Sequence, residues 1–214
     1  MDIISKTENF VKETLKGAEG GHDWWHVYRV WQTAKTIAQE ESANLLVVEL
    51  AALLHDIADS KFNDGDEEIG PAKAAEFLKG IHVEDSVINE VRQIIKNMSF
   101  KASLGEVTYH SKELEVVQDA DRLDAMGAIG IARAFNYGGY KGREFYDPAV
   151  PPNLTMSKEE YKKNSAPTIN HFYEKLLLLK DKMNTTTGKK LAEERHKFME
   201  VYLEQFYGEW DGNR

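Results

Sequence analysis

Leu53-Leu54-His55-Asp56-Ile57-Ala58-Asp59 sets a histidine beside an aspartate at the end of an apolar run. The residues leading into it, Asn44-Leu45-Leu46-Val47-Val48-Glu49-Leu50-Ala51-Ala52-Leu53-Leu54, are apolar nearly all round, which predicts a central, buried helix capped by Asn44. His55 and Asp56 then fall at the buried end of that helix. An ionised carboxylate is costly there unless it is paired or bound to a cation, and imidazole with carboxylate is a ligand set for a first-row divalent metal. A core histidine hydrogen-bonded to its neighbouring carboxylate is the plain structural alternative.

The 214 residues suffice for one good-sized core, and no composition shift or long linker divides them. One domain over 1–214 is expected, with a metal-site core at about 21–136, a Gly/Pro-rich loop at 137–156 and C-terminal helices at 157–214. With 27 basic against 36 acidic residues the net charge is -9, which repels polyanions and argues against coating nucleic acid. A small anionic ligand is compatible with that charge, because a metal and a few local Arg or Lys residues reverse the field inside a pocket. Cysteine is absent, so any metal must use His, Asp or Glu. Met1-Asp2-Ile3-Ile4-Ser5-Lys6-Thr7-Glu8 lacks the basic start and apolar run of a signal peptide, and no stretch approaches membrane-spanning length. A cytoplasmic protein without membrane contact is the expectation.

Helical periodicity recurs along the chain and no alternating strand pattern does, so the expected class is all-α. Ile3, Ile4, Phe10, Val11 and Leu15 outline a short first helix. In the next, Asp23 is a natural N-cap, and His26, Val30, Ala34 and Ile37 share one stripe, which turns His26 inward. His22 lies at or just before that helix and can face the same cavity. Further helices are expected at about Pro71–Leu78 and Asp85–Lys96. Asp64-Gly65-Asp66 invites a calcium-loop reading, but Gly65 in the sixth position puts Phe62 third and Pro71 twelfth, where ligands are needed.

A second cluster reads Gln118-Asp119-Ala120-Asp121-Arg122-Leu123-Asp124. Asp121 and Asp124 share a helical face and Asp119 points elsewhere; salt bridges through Arg122 and Arg133 are the structural alternative. Tyr137-Gly138-Gly139-Tyr140-Lys141-Gly142-Arg143 is no P-loop, since no Gly-Lys-Ser/Thr ends it. On flexible glycines, Lys141 and Arg143 could close over phosphates; a surface excursion or a subunit contact in a homo-oligomer is the other use of such a segment. Two long helices are expected at Ser157–Met183, bent or interrupted by Pro167, and at Gly188–Trp210.

His26, His55, Asp56 and Asp121 would project from three helices. This set, one His, a His-Asp pair and a distal Asp, resembles the HD-domain phosphohydrolase superfamily. The resemblance runs from Gly21-His22-Asp23 through Leu53-Leu54-His55-Asp56 and Ala120-Asp121-Arg122-Leu123 to the Gly-rich segment. It implies a compact multi-helix bundle of HD-domain type in which His26, His55, Asp56 and Asp121 are metal ligands. Asp121 is chosen over Asp119 and Asp124 by the family's Ala-Asp-x-Leu pattern; spacing alone does not decide. Two-metal members carry further histidines where this chain has Glu67-Glu68 and Lys96-Asn97, so one divalent ion is expected, with Mn²⁺, Mg²⁺, Co²⁺ and Ni²⁺ as candidates.

The resemblance implies a metal-dependent phosphohydrolase of the nucleotidase or nucleotide pyrophosphatase kind, acting on a small nucleoside or deoxynucleoside tri- or monophosphate. Asp59 stands where related nucleotidases place an acid/base Glu. Asp59, Glu67 or His22 are the candidates for moving the proton, and Arg29, Lys61, Arg122, Lys141 and Arg143 for clamping phosphate. A rival reading takes His22-Asp23-Trp24-Trp25-His26 as a zinc-protease motif with Asp for Glu, but it leaves the buried His55-Asp56 without a role. A non-enzymatic alternative keeps the metal and makes the chain a nucleotide-sensing or structural module.

Overall fold

The computed structural model describes residues 2–18, 23–58, 68–98, 109–157, 160 and 164–214, and among these it is all-helical. The α-helices are α1 (Ile3–Thr14), α2 (Trp24–Glu41), α3 (Leu45–Leu54), α4 (Ile69–Gly80), α5 (Asp85–Asn97), α6 (Lys112–Asp124), α7 (Gly127–Tyr140), α8 (Asn170–Glu174) and α9 (Thr186–Trp210), with a 3₁₀ helix at Leu176–Lys182. Backbone packing divides the chain into two compact units. No helix of the described residues is long and apolar enough to cross a membrane.

The first unit comprises Met1–Asp121 and Asn184–Thr187. Its centre is α3, which packs against α1, α2 and α5. Glu49 is the one polar residue of α3; Leu45 and Leu46 at its start are exposed, while Leu50, Ala51, Ala52, Leu53 and Leu54 are all fully buried. Each of its buried leucines contributes about 1.5–3 kcal/mol from burial. Asn44 starts the helix, its side-chain oxygen accepting the Val47 N–H at 3.4 Å, and Asp23 starts α2 by accepting the His26 N–H at 2.9 Å. On α2 the stripe of His26, Val30, Ala34 and Ile37 is buried. Trp31 Nε1 donates to Glu49 Oε2 at 2.8 Å, tying α2 to α3 between their site-bearing ends.

The second unit comprises Arg122–Met183 and Gly188–Arg214. Three local features shape it, of which the last two differ from the sequence expectation. Helix α6 stops at Asp124, and α7 opens on Gly127, whose φ of +68° lies in the left-handed region that favours glycine. Helix α7 then runs through Gly138 and Gly139, so the loop begins at Lys141 instead of Tyr137. A Cβ on Gly138 would stand 2.2 Å from Thr168 Oγ1; close approach to Thr168, not a turn, requires this glycine. Finally, the described part of Ser157–Met183 is no long helix. Past Pro167, the Thr168 and Ile169 N–H groups donate to the Glu144 and Phe145 carbonyls at 2.9 Å, and only the short α8 and the 3₁₀ helix follow.

Candidate metal centre

The site is assembled within the first unit from α2, the C-terminal end of α3 and α6. His55 is the C-cap residue of α3, where the negative end of the helix dipole favours a cation. Its Nδ1 lies 2.8 Å from the Ala52 carbonyl, which can only accept, so Nδ1 carries the proton and Nε2 presents a lone pair. That nitrogen is 3.3 Å from His26 Nε2. Asp56 Oδ2 lies 3.9 Å, and Asp121 Oδ1 3.4 Å, from the same His26 nitrogen. His26, His55 and Asp56 form a candidate metal-binding group, each offering a donor atom within 4.8 Å of the others.

The residues fit a divalent ion. Two atoms each bonded to one ion at about 2.0–2.2 Å stand no more than about 4.4 Å apart, and the 3.3, 3.4 and 3.9 Å separations from His26 Nε2 satisfy that limit; the donors grouped within 4.8 Å of one another are those of His26, His55 and Asp56, without Asp121. Imidazole and carboxylate suit the borderline first-row metals. The Ala52 carbonyl supplies the outer-shell hydrogen bond that fixes a ligating imidazole in one tautomer. The His26 side chain is 4% exposed and that of Asp56 12%, whereas that of Asp121 is 41% exposed, so solvent reaches the cluster from the Asp121 side.

The three aspartates of α6 have different partners. Asp119 is fully buried, and its carboxylate accepts the Asn184 N–H at 2.9 Å, the Thr185 N–H at 2.8 Å and the Thr185 hydroxyl at 2.8 Å. It thereby holds the turn that enters α9. Asp124, in the second unit, is ion-paired with Arg133. Asp121 is the one directed at His26.

Of the remaining sequence candidates, His22, Asp59, Lys61 and Glu67 lie outside the described residues, as does the histidine on which the protease reading rests. Arg29 is half-buried on α2, three residues after His26. Arg122 donates to the Lys182 carbonyl at 2.7 Å. The Lys141 ammonium sits 5.1 Å from the Tyr140 ring, and the Arg143 guanidinium 5.6 Å from that of Tyr137. Sequence reasoning missed the Ala52 contact, for which the i, i+3 spacing at a helix end was the available sign. It also missed the Asp119 cap, for which a separation of 65 positions left none.

Residues 24–126 match the family model of the HD domain. An uncharacterized Bacillus subtilis protein, YpgQ, is 39% identical, over 92% of this chain and 88% of its own length. An HD-superfamily hydrolase from Bacillus thuringiensis, known from its crystal structure, shares 46% identity over 97% of this chain and 96% of its own, with a TM-score of 0.78. The crystal structure of YpgQ in complex with ADP matches 96% of this chain and 94% of its own at 36% identity and a TM-score of 0.76. With the His/Asp cluster lying inside the matched region and relatives this similar along nearly their whole length, the chain belongs to the HD-domain superfamily.

Proposed function

We propose that this protein is a metal-dependent phosphohydrolase that acts on a small nucleotide, a nucleoside or deoxynucleoside tri- or monophosphate, with one divalent ion held by His26, His55, Asp56 and Asp121. The observation that carries the reading is the convergence on His26 Nε2 of the His55 imidazole and two carboxylates, all within 3.9 Å of it, at the buried end of α3. The ADP complex of YpgQ supports a nucleotide ligand. When bound, a divalent ion supplies activation of water at neutral pH and neutralisation of phosphate charge.

The chain's own residues do the rest. His55, locked by Ala52, keeps its Nε2 lone pair turned toward His26 at no reorganisation cost. Asp56 and Asp121 bring the negative charge that a dication needs, and exposed Asp121 marks the side from which substrate enters. Asp59 is our candidate for proton transfer, with Glu67 and His22 behind it. Arg29, Lys61, Arg122, Lys141 and Arg143 are the candidates for holding phosphate, Arg122 after giving up the Lys182 carbonyl.

Nucleoside and deoxynucleoside mono-, di- and triphosphates, each incubated with Mn²⁺, Mg²⁺, Co²⁺ or Ni²⁺ and scored by product, test the reading. Release of phosphate or pyrophosphate that stops on chelation is expected. A protein that binds both metal and nucleotide yet hydrolyses none would be a sensing module instead.

A further inference from the structure

Beyond α7 the chain reads Glu144-Phe145-Tyr146-Asp147-Pro148, two carboxylates flanking two aromatic rings. Backbone bonds hold this segment in place. The Glu144 and Phe145 carbonyls accept the Thr168 and Ile169 N–H groups at 2.9 Å. Asp147 closes a turn, accepting the Ala149 N–H on Oδ1 at 2.8 Å and the Val150 N–H on its carbonyl at 3.1 Å. The C-terminal end of α9, in the same unit, packs against it: the Tyr146 ring meets that of Trp210 at 5.1 Å and 82°, and that of Tyr207 at 5.3 Å and 72°. Phe206 stacks on Trp210 at 5.9 Å, which steadies the indole.

Residues 144–148 and Trp210 line a cleft of about 590 Å³, a size usual for a small-molecule site. Phe145 is 60% exposed and Trp210 50%, so both offer ring surface to a ligand. Two rings at nearly a right angle make a corner whose π faces attract a cation. Glu144 and Asp147 add negative charge, and so does the end of α9, where the helix dipole is negative. Neither carboxylate pairs with a Lys or Arg among the described residues. The adjacent Arg143 turns to the Tyr137 ring and the Asn164 carbonyl, and Arg214, beyond the helix end, pairs with Glu204.

We propose that this cleft binds an aliphatic di- or polyamine. Its ammonium groups sit at Glu144 and Asp147, and the methylenes between them lie on the Tyr146 and Trp210 rings, where apolar surface of both partners leaves water. A compact inorganic dication satisfies the carboxylates but gains no such surface, so the rings select an organic cation. The fixed backbone keeps the ordering cost of binding low. Occupancy of this site depends neither on the metal centre nor on the function proposed above.

The test titrates the full-length protein with spermidine, with calorimetry for affinity and NMR for the four tryptophan indole N–H signals, that of Trp210 assigned with Trp210→Leu. Spermidine is expected to shift the Trp210 signal saturably and to leave those of Trp24, Trp25 and Trp31 in place, and Mg²⁺ at the same concentration to leave Trp210 unshifted. Glu144→Gln combined with Asp147→Asn, which keeps the oxygen that accepts the Ala149 N–H, should weaken binding roughly 5- to 10-fold. Trp210→Leu should weaken it roughly 2- to 5-fold. A variant of equal net charge, Glu40→Gln with Glu76→Gln at two exposed positions, should bind as wild type does. No shift of Trp210, an equal shift with Mg²⁺, all four indoles moving alike, or the same affinity in the two double variants overturns the proposal.

Discussion

Asp119→Ala should be among the most damaging single substitutions in the first unit although Asp119 is not a candidate ligand. It removes the acceptor of the Asn184 N–H, the Thr185 N–H and the Thr185 hydroxyl from a fully buried position. The hydroxyl can rotate to another acceptor, but the two amides are left behind. At about 1–3 kcal/mol for each of the two donors left without a partner, the loss is about 2–6 kcal/mol, a large part of a domain's usual 5–15 kcal/mol. Asp119→Asn keeps one acceptor oxygen and should lose about half as much. Urea unfolding in chelator, with the slope checked for constancy, measures both. Under the same conditions Asp121→Ala, two residues along the same helix but 41% exposed, should change stability by less than about 1 kcal/mol. An Asp119→Ala protein as stable as wild type, or one less damaged than Asp121→Ala, would refute the division of roles on α6.

Gly138→Ala should destabilise by about 1–3 kcal/mol, because its Cβ would meet buried Thr168 at 2.2 Å, whereas Gly139→Ala, with nothing within 4 Å, should stabilise by about 0.4–1 kcal/mol; thermal melts of the pair decide, and equal melts contradict the packing. The Glu41 carboxylate accepts the Thr187 N–H at 2.7 Å, which lowers its pKa below the usual 4.5. A depressed folded-state pKa contributes stability that is present above 4.5 and is lost as pH falls through the folded value, so Glu41→Gln should lower stability at neutral pH and flatten the acid side of the profile; an unchanged profile rejects the linkage. For His171 the depression from 6.5 to about 4 likewise makes the folded state lose stability as pH falls through that window, since the unfolded chain protonates first; NMR titration of the ring should give a midpoint near 4, and a midpoint near 6.5 contradicts its burial beside cations.

Local signals made much of this architecture legible. Asn44 and Asp23 cap α3 and α2 as their residue types indicate, and the apolar run from Leu50 to Leu54 is fully buried because it has no polar face to expose. The inward stripe headed by His26 follows from the helical period alone. What stayed hidden depends on distant partners. Gly138 reads as a loop glycine until Thr168 is placed against it, and the 3₁₀ turn through Leu176–Lys182 has the same apolar composition as an α-helix. Helical spacing sets Asp119 apart from Asp121 and Asp124 but does not tell which carboxylate meets which group, because Thr185, His26 and Arg133 come from different parts of the chain.

The metal content of the purified protein, compared with that of Asp121→Ala after equal exposure to Mn²⁺, Mg²⁺, Co²⁺ or Ni²⁺ and removal of excess ion, tests the central claim most directly. Elemental analysis should find one equivalent of a divalent metal in the wild type and a sharp loss in the variant, with the helical content of both unchanged. Equal metal in the two proteins would contradict the assignment of Asp121, and no metal in either would remove the centre at His26, His55 and Asp56.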